Sequence, residues 1–345
     1  MKEGLSYKKA GVDIDLADAT KRAMARSLET PDKRVLNKIG AFATLFDGRF
    51  PGYEHPVLVF KTDEPGSKQK LALQYGRVSS LSYDLAHHLI NDVIVMGATP
   101  LTVQDAIVCG KLEKAIVNQI VESLSEACKA QGCVLSGGET SEQPGVIEAG
   151  TYILTGSILG VVEKSKVIDG SRIVEGDHIL AVASNGLHTN GYSLVRALMK
   201  EKPEILEKQI DGENFLDMIM RPHRCYWQAV KGLLDEPGLH GMAHITGGGI
   251  QGNLNRILPA GLDASIDLGR IQVLGIFGLI RDMGGLSDKE MLRTFNMGVG
   301  LAIVSAPEAS QTICEHLTRN DYKCYPIGEI VKGTGKVNYH GELKW

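Results

Sequence analysis

The chain has no long apolar run, no C-x-x-C pair and no large excess of one charge. Each absence excludes a class of function. A bilayer span needs roughly 18 or more consecutive apolar residues, and no such run occurs. The opening residues, MKEGLSYKKAGVDID, lack the apolar stretch of a secretory signal, so the cytoplasm is the expected location. The six cysteines (Cys109, Cys128, Cys133, Cys225, Cys314 and Cys324) form no C-x-x-C pair and read as reduced, mostly buried thiols. On this cysteine spacing neither zinc nor an iron–sulfur cluster is expected. Net charge is −4 without long runs of one sign, which argues against a nucleic-acid surface and a membrane-binding basic face. The G-x-x-x-x-G-K-[ST] phosphate loop and the G-x-S-x-G elbow are both missing.

Glycine is what the chain has in excess: 40 residues, about 12% against a usual ~7%. The glycines cluster as GGE at 137–139, NGLHTNG at 185–191, TGGG at 246–249 and MGVG at 297–300. Such patches permit tight turns and close approach of backbone to a ligand. With 345 residues, roughly two domains are expected. Residues 1–20 read as an extended arm, and 20–50 as a broken helical pattern. The apolar run after His55 predicts a strand, buried on both faces, that ends at Asp63.

Residues 82–97 read as a helix. Leu85, Ala86, Leu89, Ile90, Val93 and Ile94 form one arc, and Asp84, His88, Asn91 and Asp92 the other. Residues 112–130 form a clearer amphipathic helix, followed by a short strand from Cys133 that opens into Ser136 to Thr140. Further strands are expected over 151–163, 178–184, 242–246 and 297–305, with helices from Ser193 and from Ile250 to Leu258. A boundary falls near Asp169-Gly170. This order predicts an α/β (α+β) chain of two domains of similar size, 1–168 and 169–345.

Asp63 and Glu139 stand where strands open into loops and Asp92 lies on the polar face of its helix; hard oxygen ligands of this kind suit Mg²⁺. Asp84 reads as part of a solvated helix face. Gly247-Gly248-Gly249 before a helix could take an anion on free N–H groups. Lys68, after Gly66, could neutralise a phosphate, although a surface turn explains that spacing equally well. His188 and His244 lie in or beside glycine-rich loops and could move a proton near neutral pH; a hydrogen-bonded structural role is the alternative.

These blocks, in order, resemble the aminoimidazole ribonucleotide synthetase family. Ser6 to Asp15 (SYKKAGVDID) resembles its N-terminal signature, and Gly137 to Thr140 with Pro144-Gly145 resembles its G-G-E-T-A-E-M-P-G block. Gly160 to Lys164, Ile168 to Gly170, His188 to Arg196, Ala243 to Gly249 and Arg293 to Gly300 follow in sequence. The chain departs from the family at Asp63 to Lys68 (DEPGSK for D-G-x-G-T-K), at Ile153, where an acidic residue is usual, and at His87-His88.

The resemblance implies an ATP-binding superfamily fold: an N-terminal mixed sheet with helices that pairs across a homodimer, and a C-terminal α/β domain. It also implies a small-molecule reaction in purine biosynthesis. Formylglycinamidine ribonucleotide and ATP become aminoimidazole ribonucleotide, ADP and phosphate, with Mg²⁺. On that basis Asp63, Asp92 and Glu139 would bind the metal. Gly66, Lys68, Asn91, Gly137 and Gly138 would join them around ATP. His188, Asn190, Thr246, Gly247, Gly248 and Gly249 would hold the substrate, with His244 and His188 moving protons. The alternatives are a related kinase or synthetase with another acceptor, or a metabolite-binding relative without turnover.

Overall fold

A computed structural model describes residues 41–345 together with residues 16, 19, 20, 24, 28, 30 and 32–37. The signature Ser6 to Asp15 lies outside the described residues. Within the stretch read as an extended arm, Leu16, Ala19 and Thr20 are helical, and the Thr20 hydroxyl donates to the Leu16 carbonyl at 2.8 Å. The chain divides into two compact units, one of residues 1–93 and 100–161, the other of residues 94–99 and 162–345. Among the described residues no helix is long and apolar enough to cross a membrane.

The first unit contains β1 (Pro56–Asp63), α1 (Lys68–Gln74), α2 (Val78–Ile94), β2 (Thr99–Cys109), α3 (Lys114–Ala130), β3 (Val134–Glu142) and β4 (Tyr152–Glu163). Its four-stranded sheet runs β1-β4-β2-β3. β2 and β3 are parallel, so the chain between them must cross over, and α3 supplies that crossover. Helix α3 buries Ile120, Leu124 and Cys128 of the stripe its periodicity predicts, together with Val117 and Val121.

Two expectations change here. β1 is not buried on both faces: it is an edge strand whose residues alternate, leaving Leu58 45% and Phe60 73% exposed. The polar arc of α2 is not solvated either, because Asp84 and Asn91 are fully buried and His88 nearly so. Burial of that arc is possible because cations meet it. The Lys68 ammonium, itself fully buried, lies 3.0 Å from Asp84 Oδ1 and 2.8 Å from Oδ2. Burial pulls the Lys68 pKa down, and the Asp84 carboxylate acts against that pull.

The second unit contains β5 (His178–Ala183), α4 (Tyr192–Glu201), a small ribbon of β6 (Gln209–Ile210) and β7 (Glu213–Asn214), α5 (Phe215–Ile219) and α6 (Trp227–Val230). Then come β8 (Leu239–His244), α7 (Gly249–Leu254), β9 (Leu262–Asp267), α8 (Gly275–Gly284), α9 (Asp288–Thr294), β10 (Val299–Ser305), α10 (Pro307–Arg319), β11 (Cys324–Lys332) and β12 (Val337–His340). Its six-stranded sheet runs β12-β9-β11-β5-β10-β8. β10 is buried along its whole length between antiparallel β5 and β8. The start of β10 therefore lies beside the ends of both neighbours: Val299 faces Ala183 and Leu301 faces His244. Three loops, 184–191, 245–248 and 295–298, are brought to one end of the sheet by this antiparallel register.

One thiol expectation is corrected. Cys314, late in α10, and Cys324, at the start of β11, form a disulfide with a Cα–Cα distance of 4.9 Å. The turn between helix and strand brings them together, which a ten-residue spacing does not reveal. The other four cysteines are free and buried.

Breaking a buried ion pair strands the remaining charge. Lys68→Met is expected to lower unfolding free energy by ~3–5 kcal/mol in urea titration, with partial recovery when Asp84→Leu is added. A loss no larger than that of a surface lysine would contradict the burial described for this pair.

Candidate functional site

In the first unit two carboxylates converge on one ammonium. The Lys61 Nζ lies 2.9 Å from Asp63 Oδ2 and 2.9 Å from Asp92 Oδ2. Lys61 and Asp63 share a face of β1 because strand side chains repeat every two residues. Asp92 comes from the last turn of α2. The His88 Nε2, one helical turn earlier, lies 3.4 Å from Asp63 Oδ2 and 3.7 Å from Asp92 Oδ2. Burial lowers the Lys61 pKa, yet the two carboxylates outweigh it and hold the ammonium above its usual value. A cationic group thus already stands where the two carboxylates meet, so the donor set fits a hard divalent cation.

The Lys68 ammonium, expected beside the ATP phosphates, pairs with Asp84. Lys61 is the basic residue that sequence reading missed, although it lies two residues before Asp63. Gly66 turns the chain between β1 and α1 with φ of 65°. Asn91 is fully buried on α2 beside Asp92.

Gly137, Gly138 and Glu139 do not form a loop after a strand. They lie inside β3, which continues to Glu142 because it pairs with β2. The Glu139 carboxylate accepts from the Thr140 N–H at 2.8 Å. Gly138 faces Asp105 across the ladder, and a Cβ at position 138 would overlap the Asp105 carboxylate. Asp105 was also missed. It shares the buried phase of β2 with Val103, Ile107 and Cys109, and burial pushes its carboxyl up to about 7.

In the second unit the converging loops are tied by asparagines. The Asn296 Nδ2 donates to the Gly186 carbonyl at 2.9 Å, while its Oδ1 accepts from the Ser184 hydroxyl at 3.1 Å and the Gly298 N–H at 2.8 Å. Asn253 Nδ2 donates to the carbonyls of Gly247 and Gly249, and its Oδ1 accepts from the Thr246 hydroxyl at 3.1 Å. Gly249 has φ of 62°, and a Cβ there would overlap the Leu292 carbonyl, so only glycine lets this loop close on α9. A Cβ at Gly247 would sit 3.1 Å from Asn190 Oδ1, so the two predicted substrate loops do meet.

His188 and His244 are both buried, and His223 stands with them. The His223 Nε2 lies 2.9 Å from the His244 Nε2, and its ring stacks on His188 at 3.9 Å between centroids. His223 comes from the segment RPHRCYW, which has neither a glycine patch nor a periodic pattern to mark it.

The described residues thus form two α/β units, one with a carboxylate cluster and one with a histidine cluster. Residues 52–162 match the N-terminal domain of AIR synthase related proteins, and residues 174–340 match the C-terminal domain. The chain is 40% identical over 338 residues to the phosphoribosylformylglycinamidine cyclo-ligase of Methylobacillus flagellatus, covering 97% of each. It is 39% identical over 340 residues to that of Bacillus mycoides, covering 97% of this chain and 98% of the relative. Among solved structures, E. coli HypE superposes with a TM-score of 0.71 at 16% identity over 94% of each chain. HypE in complex with ATP superposes at 0.67 and 16% identity, covering 99% and 92% of the two chains. Thiamine-monophosphate kinase from Stenotrophomonas maltophilia superposes at 0.65 and 17% identity, covering 96% and 98%. These structures share the fold. The chain belongs to the phosphoribosylformylglycinamidine cyclo-ligase family.

Asp105 sets a pH dependence. An unfolded aspartate ionises near ~3.9, whereas the folded one holds its proton to about 7. Between those values the native state binds more protons, so this residue's contribution to stability falls as pH rises and is constant above about 7. In ligand-free protein, Asp105→Asn is expected to melt higher than the parent at about pH 8, the difference shrinking toward about pH 5. A variant that melts lower at the higher pH would contradict this.

Proposed function

We propose that this chain closes the imidazole ring of formylglycinamidine ribonucleotide, consuming ATP and releasing aminoimidazole ribonucleotide, ADP and phosphate. One observation carries the reading: a hard-ion carboxylate cluster and a three-loop histidine site lie in a chain that matches named cyclo-ligases at about 40% identity over 97% of its length.

The reaction's difficulty is the formamide oxygen, a poor leaving group. Transfer of the ATP γ-phosphoryl group to that oxygen makes it a good one. The amidine nitrogen then attacks the formyl carbon, the C–O bond breaks, and the oxygen leaves with phosphate. No enzyme nucleophile is required, so the chain's residues position groups and move protons. Mg²⁺, when bound, would neutralise the ATP phosphates, and Asp63, Asp92 and Glu139 would hold it. Gly66, Asn91, Gly137 and Gly138 would line the nucleotide. Lys61 balances the carboxylates when no cation is present.

Residues 1–168 would form the nucleotide half and residues 169–345 the substrate half. Asn190, Thr246 and Gly247 to Gly249 would hold the ribonucleotide. His244, hydrogen-bonded to His223 through its Nε2, would be the residue that takes up the proton released by the attacking nitrogen, with His188 beside it. Leu58 and Phe60 on β1 and Ile153 on β4 present exposed apolar side chains, which supports a homodimer formed across this sheet.

ADP release by the purified chain with Mg²⁺-ATP is expected to require formylglycinamidine ribonucleotide, and Asp92→Ala to cut that turnover by on the order of 100-fold or more while leaving the fold intact. ADP release that is indifferent to the ribonucleotide, or full activity in Asp92→Ala, would overturn the assignment.

A further inference from the structure

We propose that His188, His223 and His244 form a binding site for a divalent transition-metal ion of the Zn²⁺ class. Neutral imidazole nitrogens are the donors such ions prefer, whereas Mg²⁺ prefers oxygen. The three residues come from three separate segments: the 184–191 loop, the chain before α6, and the end of β8. All three are buried, with exposures of 2%, 0% and 5%. One nitrogen from each lies within 4.8 Å of the others.

The spacing is close to what a metal needs. Three imidazoles around a tetrahedral ion with metal–nitrogen bonds of ~2.0–2.1 Å place their nitrogens roughly 3.3 Å apart, leaving a fourth position open. His223 and His244 stand at 2.9 Å, so insertion spreads them by a few tenths of an ångström. The His188 ring, inclined 22° to His223, turns off the stack to aim its lone pair at the ion. At 2.9 Å one imidazole nitrogen donates and the other accepts, so at least one of the two rings is neutral, as a ligand must be.

The surroundings hold the cluster in place. His188 has φ of 61°, in the left-handed region that residues with a side chain rarely adopt, and Asn296 pins its loop through Gly186. Gly300 keeps the space clear, since a Cβ there would overlap the Tyr226 hydroxyl and lie 2.7 Å from His188 Cε1. The cluster explains why sequence spacing argued against zinc: its ligands are 35 and 21 residues apart and match no local motif.

A metal here would engage His244, the residue assigned to proton transfer, so occupancy and turnover would exclude each other. That consequence rests on the proposed function; the site itself does not.

The test uses the full chain, stripped with a chelator and titrated with Co²⁺ alone, followed by visible absorption and equilibrium dialysis. One Co²⁺ per chain with a tetrahedral spectrum, displaced by Zn²⁺, is expected. His223→Gln should weaken binding by about tenfold or more, and His188→Gln, run alongside in case the first variant misfolds, should do the same. Asp63→Asn, which disables the carboxylate cluster, should leave binding unchanged. Absence of stoichiometric Co²⁺ binding, or parent-like affinity in a folded His223→Gln or His188→Gln, overturns the proposal. Because the spectrum needs no turnover, it is read independently of whether the chain closes an imidazole ring.

Discussion

The Asp84 carboxylate lies on a fully buried side of α2, where a lone charge costs several kcal/mol. The Lys68 ammonium meets it, and much of the first unit's geometry follows from that pairing. Lys68 opens α1, so the turn after β1 must bring that helix against α2. The C-terminal end of β1 is thereby held beside the later turns of the same helix. Asp63 can then share Lys61 with Asp92, and His88 can lie near both. The pair that holds the interior is thus also what aligns Asp63 and Asp92 on Lys61.

The second unit reaches its arrangement by register. Antiparallel pairing of β10 between β5 and β8 gathers three connecting loops at one sheet end. The side-chain amides of Asn253 and Asn296 then satisfy the loop backbones, which lets irregular chain be partly buried there. Glycine at 249 allows the loop before α7 to press on α9. What remains in the middle is a set of imidazoles packed against one another.

The elements with a clean period were legible in the amino-acid sequence. Helix α3 and strands β4, β5 and β10 lie where apolar spacing puts them, to within a residue or two. Helix α2 was placed correctly but begins four residues earlier than read, and its polar arc was misjudged. Periodicity separates polar from apolar faces but does not say whether the polar face meets water or buried partners. Lys61 and Asp105 carried a signal that a period-two reading detects: each falls on the same strand face as an informative neighbour. Glu139 looked like a loop residue because two glycines precede it, whereas ladder pairing with β2 keeps that stretch extended. His223 carried no local signal, since only the tertiary fold brings it to His188 and His244.

The account's central claim is chemical: the chain activates an amide oxygen by phosphorylation and leaves ring closure to the substrate's own nitrogen. The most direct measurement follows that oxygen. Formylglycinamidine ribonucleotide labelled with ¹⁸O in its formyl group is turned over with unlabelled Mg²⁺-ATP, and the inorganic phosphate is analysed by mass spectrometry. The account predicts one labelled oxygen in each phosphate released. Unlabelled phosphate, formed alongside aminoimidazole ribonucleotide, would contradict it.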